Sequence, residues 1–299
     1  MTLRHYILIF HLLREIADEL SIWDDPSEAT KTLKVVCHCE SLQPPSALPI
    51  TGGPVYQENF VKKLLAHTKP EIIVHCAALT NLQFCEQNPE IAHQSHVQAT
   101  EYLAKNAPQA RFLYISTDSV FDGKKGNYTE LDTPNPLNIY AKTKLEGEKA
   151  ALAHSQNALV LRTNIFGLHS PTGASLAEWL LQNLQARQAV SGFDNVFFNP
   201  VYTQSLAEII YHLAVETTEK GILNVGSQPQ MSKYEFALAV AYALKLPTSL
   251  VMPRSINAQD WQPARPLNTT LNIDKLQKIM AAPSLVSDIQ AMMHQVLTQ

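Results

Sequence analysis

Glycine is scarce in this chain, and where it is missing matters more than how little there is. Ten glycines occur in 299 residues and none precedes Gly52, whereas average usage of about 7% would give roughly twenty. A strand-to-helix turn in the first fifty residues is therefore not of the Gly-rich kind that lets backbone amides close on a phosphate. Cysteine is also sparse. Cys37, Cys39, Cys76 and Cys85 show neither zinc-site pairing nor the density of a disulfide-stapled domain, which makes a reducing, cytoplasmic setting the expectation. "CHCE" (Cys37–Glu40) and the pair His93 and His96 read as an alternating strand and a helix face rather than as metal hooks, so no metal is expected. The apolar run His5–Leu13 is far short of the roughly 20 residues that span a bilayer. Arg14 and Glu15 follow it at once, without a small-residue cleavage site, so it reads as a buried strand entering a helix rather than as a leader. The net charge of −4 offers no basic surface for nucleic acid or anionic membrane.

What is present is alternation. "YILIF" (Tyr6–Phe10), "LKVVCHC" (Leu33–Cys39), "EIIVHCA" (Glu71–Ala77), "RFLYIS" (Arg111–Ser116) and "NALVLRT" (Asn157–Thr163) read as strands. Helices are expected over His11–Leu20, Tyr56–Thr68, Pro89–Ala107 and from near Asn138 to about Ser155. The central strands are apolar without polar alternation, as in a parallel sheet covered on both faces, whose ligands gather at the carboxyl ends of the strands. After residue 165 the pattern changes to helices near Ala174–Arg187, Thr203–Glu216 and Ser232–Leu246, one short strand at Ile222–Val225, and loops rich in Pro and Asn. The expected division is a sheet-bearing part over 1–165 and a smaller lobe over 166–299 that packs over the cleft and shares strands with it.

Two short stretches carry chemistry. "TDSVFDG" follows the strand "RFLYIS" and brings Thr117, Asp118 and Ser119 to a strand end. Turn formation alone explains Thr and Asp there equally well. About twenty residues on, Tyr140 and Lys144 stand four apart on one helix face. A free tyrosine has a pKa near 10 and is a poor acid or base at neutral pH. An ammonium one turn away favours the phenolate, so the hydroxyl can exchange a proton with an alcohol or carbonyl oxygen. A threonine hydroxyl from the preceding strand can hold that oxygen in place. Tyr-x-x-x-Lys alone is a weak signal; the ordered set of strand, hydroxyl and helical Tyr-x-x-x-Lys in a βα chain is strong. Arg162 ends a buried strand and reads as internally paired, while Arg265 lies in a Pro-flanked loop suited to holding a diphosphate.

With these residues in view, the chain resembles the extended short-chain dehydrogenase/reductase family. The likeness is to the dTDP-4-dehydrorhamnose reductases and to the regulatory β subunits of methionine adenosyltransferase. It runs over roughly residues 55 to 280 through "EIIVHCAALT", "YISTDSVFDG", "YTELDTPNPLNIYAKTKLEGEKA", "LRTNIFG", "FFNPVYTQSLAEII", "GILNVGSQPQMSKYEFALAVAYAL" and "QPARPLNTTLNIDKL". The resemblance implies an α/β, Rossmann-like doubly wound parallel sheet over 1–165 with a smaller C-terminal substrate-binding lobe. It implies Thr117, Tyr140 and Lys144 as the catalytic triad, and Cys76, Ala77, Ala78, Thr80, Tyr140 and Lys144 beside an NADP or NAD dinucleotide. It also implies Asp118, Ser119, Asn164, Asn199 and Arg265 along a nucleotide-sugar substrate. Four departures accompany it. Phe10 passes to His11 without a Gly-rich turn, which puts dinucleotide binding in question. Pro49 stands where relatives carry an aspartate, Ser119 where they carry a tyrosine, and His96 where a helix asparagine is usual. "TGGP" (Thr51–Pro54) is either a simple turn or the one substitute phosphate loop. Two readings stay open: an NAD(P)-dependent reductase of a nucleotide-linked 4-keto sugar, and a non-catalytic regulatory protein on the same scaffold. An epimerase or dehydratase stands behind them. A homodimer or a complex with a partner enzyme is also open, the latter belonging to the second reading.

Overall fold

The computed structural model describes residues 55–168 and 175–298, together with two earlier strands, β1 (His5–Phe10) and β2 (Leu33–His38), whose side chains are outside the description. The expected first helix, Cys39, the 48–51 stretch and the "TGGP" turn lie outside the described residues.

Among the described residues a six-stranded sheet has the order β10-β5-β4-β3-β1-β2. Its further members are β3 (Ile72–His75), β4 (Arg111–Thr117), β5 (Ala158–Thr163) and β10 (Gly221–Val225). β1 pairs in parallel with β2 on one side and β3 on the other, and β3 pairs in parallel with β4. The chain therefore reverses its winding direction between β1 and β3, and such a switch point opens a crevice beyond the carboxyl ends of those strands. The apolar stretch of β3 is buried throughout, as expected of a strand covered on both faces.

Clustering of contacts divides the chain into two compact units. Unit 1 comprises Met1–Ser116, Asn138–Leu161 and Ala207–Ile222; unit 2 comprises Thr117–Leu137, Arg162–Leu206 and Leu223–Gln299. This differs from a single division at residue 165. The chain passes from one unit to the other within β4, β5 and β10, so a sheet strand can begin in one unit and end in the other.

Unit 1 packs α1 (Glu58–Thr68), α4 (Ala99–Asn106) and α5 (Ile139–His154) against the sheet through Val61, Leu64, Leu65, Leu103, Phe112, Tyr114, Ala151 and Val160. The long helix expected over Pro89–Ala107 is present as α3 (Pro89–His93), one π turn (Gln94–Gln98) and α4. The extra residue in that turn puts His96 on the buried side, and π turns of this kind recur at functional sites. α2 (Leu82–Gln87) precedes it, with the Asn81 side chain accepting from Phe84 N at 2.9 Å.

Unit 2 has its own core, formed by Phe166, Leu180, Leu184, Phe198, Tyr202, Phe236, Val240, Ile289 and Met292. Its helices α6 (Leu176–Gln185) and α8 (Lys233–Ala243) each open on a capping box, Ser175 with Glu178 and Ser232 with Glu235, which satisfies first-turn amides reciprocally. α7 (Thr203–Tyr211) starts in this unit and passes after Leu206 into unit 1, which holds the second π turn, His212–Glu216; α9 (Asp274–Gln277) and α10 (Leu285–Thr298) follow toward the carboxyl end of unit 2. Short pairs complete the unit: β6 (Ile165–Phe166) with β9 (Val201–Tyr202), β7 (Val190–Phe193) with β12 (Val251–Arg254), and β8 (Phe197–Phe198) with β11 (Met231–Ser232). The 117–137 segment is clasped by the 266–272 segment: Tyr128 N donates to Thr270 O at 2.8 Å and Asn272 N to Tyr128 O at 2.8 Å. At Gly123 φ is +73°, and a Cβ would lie 2.6 Å from Pro266 Cβ, so only glycine fits that close approach.

Candidate active site

In unit 1 the site begins with a helix cap. Asn138 accepts from Ala141 N at 2.9 Å, and Ile139 N donates to Glu86 Oε1 at 2.8 Å, which fixes where α5 starts. Tyr140 stands in the first turn, half-buried, and Lys144 one turn later is buried. The Lys144 ammonium donates to the carbonyl of Ile115 in β4 at 2.6 Å and lies 4.1 Å from the centroid of the Tyr114 ring. Burial lowers its pKa from the usual 10.5 to about 7, with nearby Cys76 and Glu148 pulling the other way. The lysine is thus able to hold or release a proton near neutrality. Glu148, one further turn along, is buried and accepts from Ser116 Oγ at 2.5 Å.

His96 ties this helix to the loop after β3. The Thr143 hydroxyl donates to the carbonyls of Ile139 and Tyr140, at 2.9 and 3.0 Å, so it can only accept from His96 Nδ1, 2.7 Å away. His96 Nε2 accepts from Leu79 N at 2.9 Å. These partners require a neutral ring with its proton on Nδ1, and burial agrees by lowering its pKa to about 2. The same ring meets Tyr140 edge-on, with centroids 5.7 Å apart. The Cys76–Thr80 segment, which leaves β3 beside the winding reversal, is therefore anchored to the helix carrying Tyr140. Cys76 is buried, Ala77 and Ala78 are half-buried, and Thr80 is exposed. Two alanines in succession leave the backbone accessible to a flat or phosphorylated ligand, so these residues suit one wall of a dinucleotide site.

In unit 2, Thr117 caps a 3-10 turn, Asp118–Val120, its hydroxyl accepting from Ser119 N at 3.1 Å. Asp118 is buried at the centre of a network. Oδ2 accepts from Asn164 Nδ2 at 2.9 Å and from the Thr269 hydroxyl, and Oδ1 from the hydroxyls of Thr117 and Ser119, at 3.2 and 3.3 Å. Burial raises its pKa and these bonds oppose the rise. Asn199 is buried and clasps the Leu271 backbone, donating to its carbonyl at 3.0 Å and accepting from its amide at 2.9 Å. Arg162 is buried with its guanidinium 5.1 Å from the Phe121 ring, an internal setting as its strand position suggested. Arg265 is exposed, 5.8 Å from the Trp261 ring.

The structure thus brings Tyr140, Lys144 and the Cys76–Ala78 segment together in unit 1, and Thr117, Asp118, Ser119 and Asn164 together in unit 2. Sequence reasoning did not single out Glu148, Thr269 or Lys233. Glu148 lies in "LEGEKA", which reads as a solvated charged face, though its spacing of four from Lys144 was a usable signal. Among the described residues no three His, Cys, Asp or Glu side chains converge as a metal site.

Residues 53–298 match the family described as the RmlD substrate binding domain. The chain belongs to this family. It is 37% identical over 227 residues to the methionine adenosyltransferase 2 subunit beta of Xenopus tropicalis, covering 73% of this chain and 68% of that protein. It is 29% identical over 246 residues to the dTDP-4-dehydrorhamnose reductase of Aggregatibacter actinomycetemcomitans, covering 78% and 83%. Among solved structures, the dTDP-4-dehydrorhamnose reductase of Bacillus anthracis in complex with NADP aligns over 98% of this chain and all of that one, with a TM-score of 0.81 at 21% identity. At that identity the likeness speaks for the fold, a parallel-sheet α/β architecture of the Rossmann type.

Proposed function

We propose that this RmlD family member reduces the keto group of a nucleotide-linked 4-keto sugar. The observation that carries the reading is the Tyr140–Lys144 pair: a tyrosine in the first turn of α5, and one turn on a buried lysine fixed on the Ile115 carbonyl with its pKa lowered to about 7. A nicotinamide dinucleotide, when bound, would supply the hydride. Tyr140 then delivers a proton to the sugar oxygen, Lys144 supplies the positive field that makes the hydroxyl a usable acid, and Thr117 orients the oxygen. Cys76, Ala77, Ala78 and Thr80 border the dinucleotide. Asp118, Ser119, Asn164 and Arg265 serve the substrate, with Asn199 holding the Leu271 backbone behind them. The reaction is tested by following NADPH and NADH oxidation with dTDP-4-keto-6-deoxyglucose. Tyr140→Phe should lower kcat by about 10²–10⁴-fold, the usual contribution of a positioned acid. No turnover by the parent protein with any keto-sugar nucleotide would reject the reading.

A second reading is favoured by a different observation. Several methionine adenosyltransferase β subunits are 35–37% identical to this chain, against 29% for the reductase, and the first fifty residues hold no glycine with which to build a phosphate turn. On this reading the protein binds a partner enzyme and turns nothing over. Co-elution with a methionine adenosyltransferase catalytic subunit, without NADPH oxidation, is its expected signature.

A further inference from the structure

Lys233 opens α8 directly after its cap, Ser232, in a part of unit 2 that the reading above leaves without a role. Its stem is half-buried and its ammonium lies 4.0 Å from the centroid of the Phe198 ring. Among the described residues that ammonium makes no hydrogen bond or ion pair, so three charged N–H donors have only an aromatic face beside them. Two charged neighbours act on it, Asp118 and Arg265. Asp118 attracts the ammonium from a distance but makes no hydrogen bond to it, its oxygens accepting instead from Thr117, Ser119, Asn164 and Thr269. Arg265 is a second cation, and its guanidinium likewise has an aromatic ring, Trp261, but no hydrogen-bonded or ionic partner among the described residues. Both cations thus have unused charged N–H donors, which an anion with several acceptor oxygens would satisfy. Burial and Arg265 together lower the Lys233 pKa to about 8, with Asp118 opposing.

We propose that Lys233 is an anion-binding residue and that, with Arg265, it takes the diphosphate of a nucleoside diphosphate. This deepens the reductase reading by giving the substrate's diphosphate a second cation, and it can be examined without turnover. A purely structural lysine, kept for its stem against Phe198, is the competing account. Methionine keeps such a stem and loses the charge, whereas arginine keeps the charge.

The experiment is calorimetric titration with dTDP, inorganic pyrophosphate and thymidine, without cofactor, on the full chain and on Lys233→Met, Lys233→Arg and Arg265→Gln, each checked for an unchanged melting profile. The expected result is that dTDP binds, that Lys233→Met and Arg265→Gln each weaken it roughly tenfold or more, on the scale of a charge-assisted bond, and that Lys233→Arg largely restores it. Affinity of the parent protein should fall as pH rises through about 8, where Lys233 loses its proton, and the Arg variant should be flat there; the charges facing Lys233 are Asp118 and Arg265. Pyrophosphate binding with the same Lys233 dependence assigns the site to the free anion as well; dTDP binding alone assigns it to the nucleotide. Unchanged dTDP affinity in Lys233→Met, or no dTDP binding by the parent protein, overturns the proposal. If Lys233-dependent dTDP binding is found but no keto sugar is reduced, the anion site stands and the reductase reading falls.

Discussion

At the scale of single residues, Lys144 links fold and chemistry. Its folded-state value of about 7 lies below the roughly 10.4 of an unfolded chain. The stability gained from shedding its proton is therefore complete above about 10.4 and is lost as pH falls through about 7. Between pH 7 and 9 the parent protein should gain stability over Lys144→Met by up to about 1.4 kcal/mol per pH unit, read from urea unfolding. A constant difference across that range would show that the ammonium stays charged in its pocket. Tyr140 and Lys144 were legible in the sequence because a spacing of four on a helix guarantees a shared face. His96 was legible only as an unusual residue at its position. That it would be neutral, with its proton on Nδ1, follows from Thr143 and Leu79, and no local pattern connects those three.

Among elements, α5 and β4 show how closely the site is built. The Cβ of an alanine at Gly147 would overlap the Tyr114 hydroxyl and come within 2.5 Å of the His96 carbonyl. Gly147 is therefore where helix, strand and π turn approach one another. Gly147→Ala should cost roughly 1–3 kcal/mol by overpacking, seen as a lower urea midpoint, and should disturb Lys144, whose carbonyl accepts from the same tyrosine at 3.4 Å. A variant as stable as the parent would mean that the helix can shift freely. The strands and most helices could be read from apolar runs and from caps such as Asn138. The π turns could not, because no residue type marks the single added residue, and Pro89–Ala107 therefore reads as one regular helix.

For the whole molecule, the absence of glycine before Gly52 carries the clearest expectation. A pyrophosphate at a turn without glycine forgoes backbone bonds worth about 1.5–3 kcal/mol each to a charged group. Losing two weakens binding by roughly a hundredfold or more. Calorimetry should therefore find NADPH bound far more weakly than by a Gly-turn relative, and a micromolar dissociation constant with ordinary turnover would refute this. The family and the alternating architecture were legible from ordered motifs. The clustering into units depends on which distant segments meet rather than on where composition changes. That interleaving has a consequence for synthesis on the ribosome. The three segments of unit 1 are all available once Ile222 has emerged. Unit 2 waits for the last part of the message: Asp118 and Thr269 are 151 residues apart, a delay of roughly 8–30 s at about 5–20 residues per second. During that interval the Asp118 carboxylate lacks one of its hydroxyl donors, and Tyr128 lacks the strand-like clasp of Thr270 and Asn272. A transcript cut short between Ile222 and Thr269 yields a chain with every segment of one unit and an unfinished other, a natural target for quality control.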